Sequence, residues 1–248
     1  MKKILAMVMA LAMAVCCFAG CGKKKTLVVG MTDFAPMDYK EEGEWIGFDA
    51  DMAKAFAKEI GREVEFVEIE WDNKVFELES GTIDCVWNGM TLTDEVKETM
   101  DTTNAYCNNA QVVVVNKDVA DKYQTAEACK KLKFAVESGS AGESQAKNNG
   151  FDYTPVKDQA TALMEVAAGT SDAAIIDSLM AGAMIGEGTS YADLTYTVKL
   201  NSEEYGVGFA KGSDLTEKLN DFFKKAYDDG TMLEIAKEYG VQEALIAQ

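Results

Sequence analysis

Acidic and aromatic side chains next to strand-like stretches are the residues of this sequence best suited to binding chemistry. Asp177 ends the apolar run "DAAIID", Phe34 stands directly after Asp33 in "TDFAP", and Trp71 opens "WDNK". Carboxylates attract cations, and each good cation–π contact adds about 0.5 to 2 kcal/mol. These side chains would favour a small cation if the fold brought them together in one site.

Two of these residues have a purely structural alternative. Asp177 could cap a helix that begins at Ser178. Asp72 could likewise cap the next helix, which would place Trp71 before the cap and Phe76 four residues inside the helix, in a hydrophobic staple. The sequence leaves both alternatives open.

The segment "NGMTLTDE" joins a strand-like run to a helix-forming run. Gly89 permits close approach of the backbone to a ligand, and the Thr91 hydroxyl can donate to an oxygen or accept from an ammonium group. Thr93, followed by Asp94 and Glu95, also fits an ordinary helix start. Both interpretations can hold together, as a capped turn that faces a small ligand.

The composition is that of a folded protein with a large negative charge. Of the 248 residues, 48% are hydrophobic and 27% are charged, which is ordinary for a soluble globular chain. The formal net charge is −18, and without residues 1–20, which contain two lysines and no acidic residue, the balance is 22 − 42 = −20. We therefore expect no nucleic-acid partner, because phosphate backbones repel such a surface.

The histidine and cysteine content argues against metal and nucleophilic chemistry. The chain has no histidine, the residue that zinc sites and catalytic triads use most. Cys85, Cys107 and Cys129 are widely spaced and odd in number, so they match neither a metal cluster nor a disulfide framework. Cys85, within "DCVW", is interpreted as a small buried hydrophobe. We expect neither a metal nor a cofactor.

The N-terminus has the order of a secretory signal. Lys2 and Lys3 precede an apolar run over residues 4–15, which is too short to span a bilayer, and small residues follow. "FAGC" resembles a bacterial lipoprotein cleavage box, with Phe18 where leucine is usual. This predicts a signal peptide over residues 1–20, a lipid such as palmitate on Cys21, and a tether over residues 21–25 whose lysines suit an anionic membrane surface.

Strand-like and helix-like stretches alternate from Thr26 onward, and helices ending at Gly61 and Gly81 suggest parallel β-α units. Such units predict an α/β fold with helices on both faces of each sheet. "LESGTIDCVWN" and "VAAGTSDAAIID" share a helix end, Gly-Thr-x-Asp and a buried strand. This echo suggests two lobes built on one plan, although a recurring helix-to-strand turn would also explain it.

The stretches "VGMTDFAPMDY", "GEWIGFDADMAKAFAKEIG", "IEWDNKVFELESGTIDCVWNGMTLTDE", "VESGSAGE" and "EEYGVGFAKGSD" together resemble the extracytoplasmic solute-binding proteins (family 3) of amino-acid ABC transporters. The resemblance implies the two-lobed type II periplasmic-binding fold, with a mostly parallel sheet in each lobe and two hinge strands between them. It places residues 26–106 and 208–248 in lobe 1 and residues 107–207 in lobe 2. The C-terminal helices are expected to pack back on lobe 1.

The same resemblance implies a ligand site between the lobes. Phe34 matches an aromatic that stacks on the ligand, and Phe48 matches a second apolar wall, although either could simply be a core residue. Asp33 matches a residue that makes a polar contact with the ligand. Trp71 either lines the ligand site or forms the hydrophobic staple described above. The remaining implied contacts are the strand-end segment Asn88, Gly89, Met90 and Thr91, the helix start at Ser140 and Ala141, and Asp177 as the partner of the ligand's ammonium group.

One residue departs from the family pattern. The helix after the threonine segment normally carries an arginine that grips the ligand's α-carboxylate, and Val96 occupies that position here. Arg62 is the only arginine in the chain, and it follows the helix end at Gly61. Lys97 is adjacent, but one residue along a helix turns a side chain by about 100°. Anion binding is thus left to helix N–H groups and hydroxyls.

The resemblance implies a monomeric, lipid-anchored receptor on the outer face of a bacterial cell membrane, which delivers an amino acid to separate ABC permease and ATPase chains. The departure at Val96 favours, as an alternative, a cationic amine without an essential α-carboxylate. Two further alternatives are a cyclohexadienyl-dehydratase-like enzyme and a ligand sensor on the same fold. An enzyme would need a placed acid–base pair, and the sequence has carboxylates without a distinctive catalytic set.

Overall fold

Two mixed β-sheets flanked by helices organise residues 26–248, the part of the chain that the computed structural model describes. The strands are β1 (Thr26–Met31), β2 (Tyr39–Glu41), β3 (Glu44–Ile46), β4 (Glu63–Glu68), β5 (Cys85–Thr91), β6 (Asp101–Thr102), β7 (Cys107–Asn109), β8 (Gln111–Asn116), β9 (Lys133–Glu137), β10 (Asp152–Val156), β11 (Ala173–Asp177), β12 (Leu194–Lys199) and β13 (Glu203–Phe209). The α-helices are α1 (Phe48–Glu59), α2 (Lys74–Ser80), α3 (Asp94–Thr99), α4 (Ala126–Cys129), α5 (Ala141–Asn149), α6 (Gln159–Ala168), α7 (Ser178–Met184), α8 (Leu215–Asp228) and α9 (Thr231–Glu238).

The first sheet has the strand order β4-β1-β5-β13-β6, with β7 also paired to β13, and the second has the order β10-β9-β11-β8-β12. In each of these sheets, three neighbouring strands pair in parallel. The remaining strand pairs of the two sheets are antiparallel. A helix connects successive parallel strands, as parallel pairing requires. This confirms the predicted α/β class. We call the first sheet with its helices lobe 1 and the second sheet with its helices lobe 2.

The chain crosses between the sheets twice, from β7 to β8 and from β12 to β13. The two crossings lie side by side, because Asn109 pairs with Glu203 and Cys107 pairs with Tyr205 in the first sheet. Residues 203–207 therefore belong to a strand of the first sheet, whereas the boundaries predicted from the sequence assigned them to lobe 2. The lobe boundaries themselves stay a prediction.

The C-terminal helices pack on lobe 1, as predicted. Phe223 in α8 is buried and meets the Trp87 ring of β5 edge-on, at 5.6 Å between ring centroids. Lys225 forms an ion pair of 2.8 Å with Glu59 of α1. Along residues 26–248, no helix is long and apolar enough to cross a membrane.

The echo noted in the sequence is a shared structural unit. Gly81 ends α2 and Gly169 ends α6, both in the left-handed conformation. Each glycine is followed by a buried central strand, β5 in lobe 1 and β11 in lobe 2. Cys85, at the start of β5, is fully buried as expected. Both strands carry their C-terminal residues to the space between the lobes.

Candidate functional site

A cavity of about 550 Å³ lies between the lobes, within the size range of small-molecule sites. It opens where β5, β9 and β11 end, which is where open α/β sheets bind their ligands. Ten of the twelve predicted site residues line this cavity: Phe34, Trp71, Asn88, Gly89, Met90, Thr91, Val96, Ser140, Ala141 and Asp177.

The two other predicted residues, Asp33 and Phe48, lie outside the cavity wall. Phe48 is fully buried at the start of α1, where its ring centroid is 6.1 Å from that of Tyr106. Phe48 is therefore a core residue, which is the alternative that the sequence left open. Asp33 is exposed. Neighbouring protein atoms still remove part of the water around its carboxyl, and this desolvation, followed by the charge of Asp158, raises the pKa of Asp33.

Asp177, the last residue of β11, is held by three side-chain donors. The Tyr205 hydroxyl and the Gln159 amide donate to its two carboxylate oxygens at 2.5 Å each, and the Asn109 amide donates as well. Its side chain makes no capping hydrogen bond to α7, so the capping alternative is wrong. Burial, followed by the charge of Glu203, raises the pKa of Asp177 to about 7. The result is a fixed acceptor in the cavity wall.

The Asn88 side chain binds lobe 1 itself. Its amide nitrogen donates to Asp38 at 2.7 Å, and its amide oxygen accepts from the Thr32 backbone N–H at 2.8 Å. These bonds tie the end of β5 to the loop after β1. The amide of Asn88 thus positions the strand-end segment, while its remaining surface lines the cavity.

Gly89 is fixed by a buried carboxylate. Its backbone N–H donates to Asp49 Oδ2 at 2.6 Å, and the Tyr106 hydroxyl donates to the same oxygen at 2.7 Å. Gly89 has φ 54°, and a β-carbon there would lie 2.4 Å from Cε1 of Phe34. A side chain at this position would therefore displace the aromatic ring that forms the cavity wall.

Val96 faces the cavity from the first turn of α3. Thr93 caps this helix, because its hydroxyl accepts from the Val96 N–H at 3.1 Å, which confirms the predicted cap. The Val96 side chain is buried with Met90 and Met100. Position 96 is therefore part of the wall, and it contributes an apolar surface where a cation was expected from the family pattern.

The hydrophobic staple proposed for Trp71 is wrong. Helix α2 begins after Asn73, and no side chain caps it. Asp72 instead accepts a hydrogen bond from the Ser138 hydroxyl of lobe 2, at 3.2 Å. Phe76 is 66% exposed, so it cannot pack on Trp71. Trp71 itself is buried and lines the cavity.

Lys74 is a cavity residue that sequence reasoning missed. Its ammonium group donates to the backbone carbonyls of Trp71 at 3.1 Å and Gly139 at 3.0 Å, and lies 4.8 Å from the centroid of the Trp71 ring. Burial lowers the pKa of Lys74 below its ordinary value, and the nearby negative charge of Glu137 offsets part of this shift. Its position three residues after Trp71 was an available signal, because residues at this spacing share one side of a helical turn.

Glu137, at the end of β9, was also missed. It is 3% exposed and lines the cavity, and its Oε1 has no hydrogen-bond partner among the described residues. Burial, followed by the charge of Asp177, raises the pKa of Glu137 to about 8. Its place directly before "SGS" is the same strand-end position as that of Asp177, which was the signal that could have identified it.

Residues 27–242 match the model of the bacterial extracellular solute-binding proteins, family 3. The chain belongs to this family. Among its relatives is the arginine-binding extracellular protein ArtP of Bacillus subtilis (strain 168), which is 31% identical over 226 residues, or 88% of this chain and 87% of ArtP.

Two solved structures are similar to this family 3 protein over most of its length. An ancestral arginine-binding protein bound to arginine has a TM-score of 0.81 and 32% identity, covering 88% of this chain and 99% of the other. The ancestral amino acid-binding protein AncCDT-1, a precursor of cyclohexadienyl dehydratase, has a TM-score of 0.79 and 33% identity, covering 87% and 95%. These similarities confirm the predicted two-lobed type II periplasmic-binding fold.

The cavity of this family 3 protein is strongly acidic. The two lysines in its wall are Lys74 and Lys147, and Lys147 is an outer residue paired with Glu143 at 3.0 Å. The field inside such a cavity favours a positively charged group on the ligand. Seven carboxylates line the wall: Asp72, Asp94, Glu95, Glu137, Glu143, Asp177 and Glu203.

Proposed function

We propose that this family 3 protein binds an amino acid, or a polar solute like one, between its lobes and delivers it to an ABC importer. The observation that carries the proposal is the Asp177 carboxylate, which is buried in the cavity wall and fixed by three donors. A carboxylate held in this way is complementary to a ligand ammonium group. Relatives described as amino-acid-binding proteins add support.

The proposed site has an aromatic wall as well as a charged one. Phe34 and Trp71 line the same cavity as Asp177, and aromatic faces attract cations and apolar ligand stems alike. Asn109, Gln159 and Tyr205 orient the carboxylate and leave its charge uncompensated by any cationic side chain among these donors. The ligand's ammonium group would supply the missing positive charge.

We also propose that the mature chain is anchored outside the cell by lipid on Cys21 and works with a separate permease and ATPase. The order of charged, apolar and small residues before Cys21 supports this. These residues lie outside those that the structure describes. In a bacterial host, labelled palmitate should be incorporated into the native chain, and Cys21→Ala should abolish the label and release the protein into the soluble fraction.

A cationic amine without an α-carboxylate is the second candidate ligand. The specific observation in its favour is the apolar Val96 surface, where an arginine would bind the carboxylate in the family pattern. The excess of carboxylates in the wall points the same way. A monoamine and the amino acid with the same side chain would separate the two ligand classes.

A receptor role explains the site better than catalysis. Relatives of the chain are described as binding proteins, and both oxygens of Asp177 already accept from fixed donors. One similar structure is described as a precursor of cyclohexadienyl dehydratase, so turnover of cyclohexadienyl substrates is the assay for the enzymatic alternative. Release of product at a rate above that of an Asp177→Asn variant would argue for an enzyme.

The decisive experiment is calorimetric binding of the mature chain, freed of bound ligand, to the common amino acids and small amines. We expect saturable 1:1 binding of at least one of them, with heat that Asp177→Asn removes. Absence of binding across both classes by a folded protein would contradict the proposed function. Genomic neighbours that encode a permease and an ATPase would favour transport over a ligand sensor.

A further inference from the structure

The ammonium group of Lys74 lies where the two lobes meet, beside the start of a helix in lobe 2. Lys74 belongs to α2 of lobe 1, and it donates to the carbonyl of Gly139 in lobe 2 at 3.0 Å. Gly139 directly precedes Ser140, the N-cap of α5. An anion at the start of α5 would therefore lie beside the positive charge of Lys74, whose side chain reaches lobe 2 from lobe 1.

The hydrogen bonds of Lys74 leave room for a further acceptor. An ammonium group has three N–H donors. Among the described residues, two acceptors account for two of them, the carbonyls of Trp71 and Gly139. Both acceptors are neutral carbonyls. The carboxylates of Glu137, Glu95, Asp72 and Glu143 stabilise the Lys74 charge from nearby and oppose the lowering of its pKa, but among the described residues none of them accepts a hydrogen bond from it. The Trp71 ring, 4.8 Å away, occupies one side of the ammonium group and limits the directions from which a ligand can approach.

We propose that Lys74 binds the α-carboxylate of the ligand, in the role that an arginine at position 96 would otherwise have. This inference rests on the proposed function, because it concerns the same cavity. Lys74 is buried, with 9% of its surface exposed, and it lines the cavity together with Val96, Ser140 and Ala141. Buried ammonium groups interact strongly with a carboxylate because little water screens them.

The proposed contact explains how one cavity can hold both ends of an amino acid. Asp177 supplies the negative partner for the ammonium group, and Lys74 supplies the positive partner for the carboxylate. A lysine is a point charge without the planar fork of an arginine. We therefore expect a carboxylate contact that is less restrictive in geometry than a bidentate one.

A merely structural role for Lys74 is the competing explanation, since its bond to Gly139 also holds the lobes together. The two roles differ in what they do to different ligands. A residue that only stabilises the closed lobes affects every ligand that the closed form binds. A residue that contacts the α-carboxylate affects amino acids and spares the amines that lack this group.

The test compares each amino acid with its decarboxylated counterpart by calorimetry: L-lysine with cadaverine, L-arginine with agmatine, L-ornithine with putrescine, and L-leucine with isopentylamine. In Lys74→Met, we expect an amino acid that the native protein binds to lose about tenfold or more in affinity, the scale of a hydrogen bond to a charged group. The affinity for the matched amine should stay the same or rise, because the substitution removes a buried positive charge that repels the amine's ammonium group. Lys97→Met, at an exposed position in α3, is the matched control and should leave both unchanged.

A double variant tests whether a cation at another position of the cavity wall can replace Lys74. Val96→Arg in the Lys74→Met background places a cation in the wall again, and it should restore amino-acid binding without improving amine binding. Thermal unfolding of each variant, free of ligand, establishes that it is folded.

Three results would overturn the inference. Equal losses for amino acid and amine in Lys74→Met would show a structural role alone. An unchanged amino-acid affinity would show no role, and a native protein that binds each amine at least as tightly as its amino acid would show that no carboxylate is held. In that last case the amine alternative of the proposed function survives. Failure of the native protein to bind any probe would instead remove the proposed function and this inference with it.

Discussion

Gly139 of lobe 2 lies directly against Asp72 of lobe 1, so closely that a β-carbon on Gly139 would be 2.6 Å from the Asp72 Cα. The Ser138 hydroxyl donates to the Asp72 carboxylate beside this contact. The glycine therefore lets the two backbones meet at the edge of the cavity. If the lobes close on a ligand, as the proposed function requires, closure brings these two backbones together.

Gly139→Ala should weaken ligand binding through this steric overlap. Forcing an extra methyl group into a close-packed contact costs about 1 to 3 kcal/mol, which corresponds to a loss of about 5- to 150-fold in affinity. Calorimetry measures the affinity, and small-angle scattering should show a larger radius of gyration in the presence of ligand than for the native protein.

Gly150→Ala is the matched control for that variant. Gly150 has φ 67°, almost the same as the 70° of Gly139, and no neighbouring atom of residues 26–248 lies within 4 Å of the place that a β-carbon would occupy there. Both alanines therefore carry the same backbone strain, and only one meets lobe 1. Equal loss of affinity in the two variants would contradict a specific role for the contact between Gly139 and Asp72.

Asp177→Asn should abolish most of the affinity for an ammonium-bearing ligand. The substitution keeps the shape of the side chain and removes the charge that the buried ammonium group would pair with. Breaking a buried charge pair costs about 2 to 5 kcal/mol, or about 30-fold to several-thousand-fold in affinity. Asp193→Asn, an exposed position in lobe 2, is the control in the same titration. A loss below about threefold in Asp177→Asn would contradict the assignment.

The parts of this architecture that follow from local pattern could be predicted from the sequence. The β-α units were visible because apolar runs and helix ends at Gly61 and Gly81 mark them, and the Thr93 cap was visible because it needs only its own neighbours. Such features depend on residues within a few positions of one another. The cavity position of Asp177 was instead implied by the family resemblance, which matches this strand end to a ligand-binding carboxylate.

The parts that depend on contacts between distant segments were not predictable from local pattern. The Trp71 staple failed because Asp72 bonds to Ser138, which lies 66 residues away. Lys74 had a local signal in its spacing from Trp71, but its bond to the Gly139 carbonyl of the other lobe depends on a distant segment. Phe48 is the opposite case, since it was predicted to line the cavity and lies in the core. No local feature of the sequence distinguishes an aromatic core residue from one that lines a cavity.

Binding of a cationic ligand should release protons near neutral pH. The pKa values of Asp177 and Glu137 are raised to about 7 and about 8 by burial, so both carboxyls are partly protonated at pH 7. A positive ligand group favours their ionised forms. The affinity should therefore rise between pH 6 and pH 8. Calorimetry in buffers of different ionisation enthalpy measures the number of protons released.

Glu137→Gln isolates the contribution of the carboxyl with the higher pKa. The variant should release fewer protons than the native protein and show a flatter rise of affinity above pH 7. Glu204→Gln, on an exposed position of β13, should behave like the native protein. Proton release that is the same in native protein and Glu137→Gln would mean that Glu137 keeps its proton state on binding.

The ligand-free protein should become less stable as the pH rises from about 4 to about 8. Burial raises the pKa of Asp49 to about 7, of Asp177 to about 7 and of Glu137 to about 8, each above its ordinary value. The folded state therefore binds more protons than the unfolded state in this window. Under linkage, the stabilisation is complete below the ordinary carboxyl pKa and is lost as the pH passes the raised value.

Asp49→Asn tests this dependence at a carboxyl in the core of lobe 1. Asp49 is fully buried, and its Oδ1 has no hydrogen-bond partner among the described residues, while Oδ2 holds the Gly89 N–H and the Tyr106 hydroxyl. Asparagine keeps an acceptor for those two donors and cannot ionise. Denaturant unfolding at pH 5 and pH 8 should therefore show a smaller loss of stability in Asp49→Asn than in the native protein. The same pH dependence in the native protein and in Asp49→Asn would contradict the raised pKa of Asp49, because its ionisation would then contribute nothing to the loss of stability.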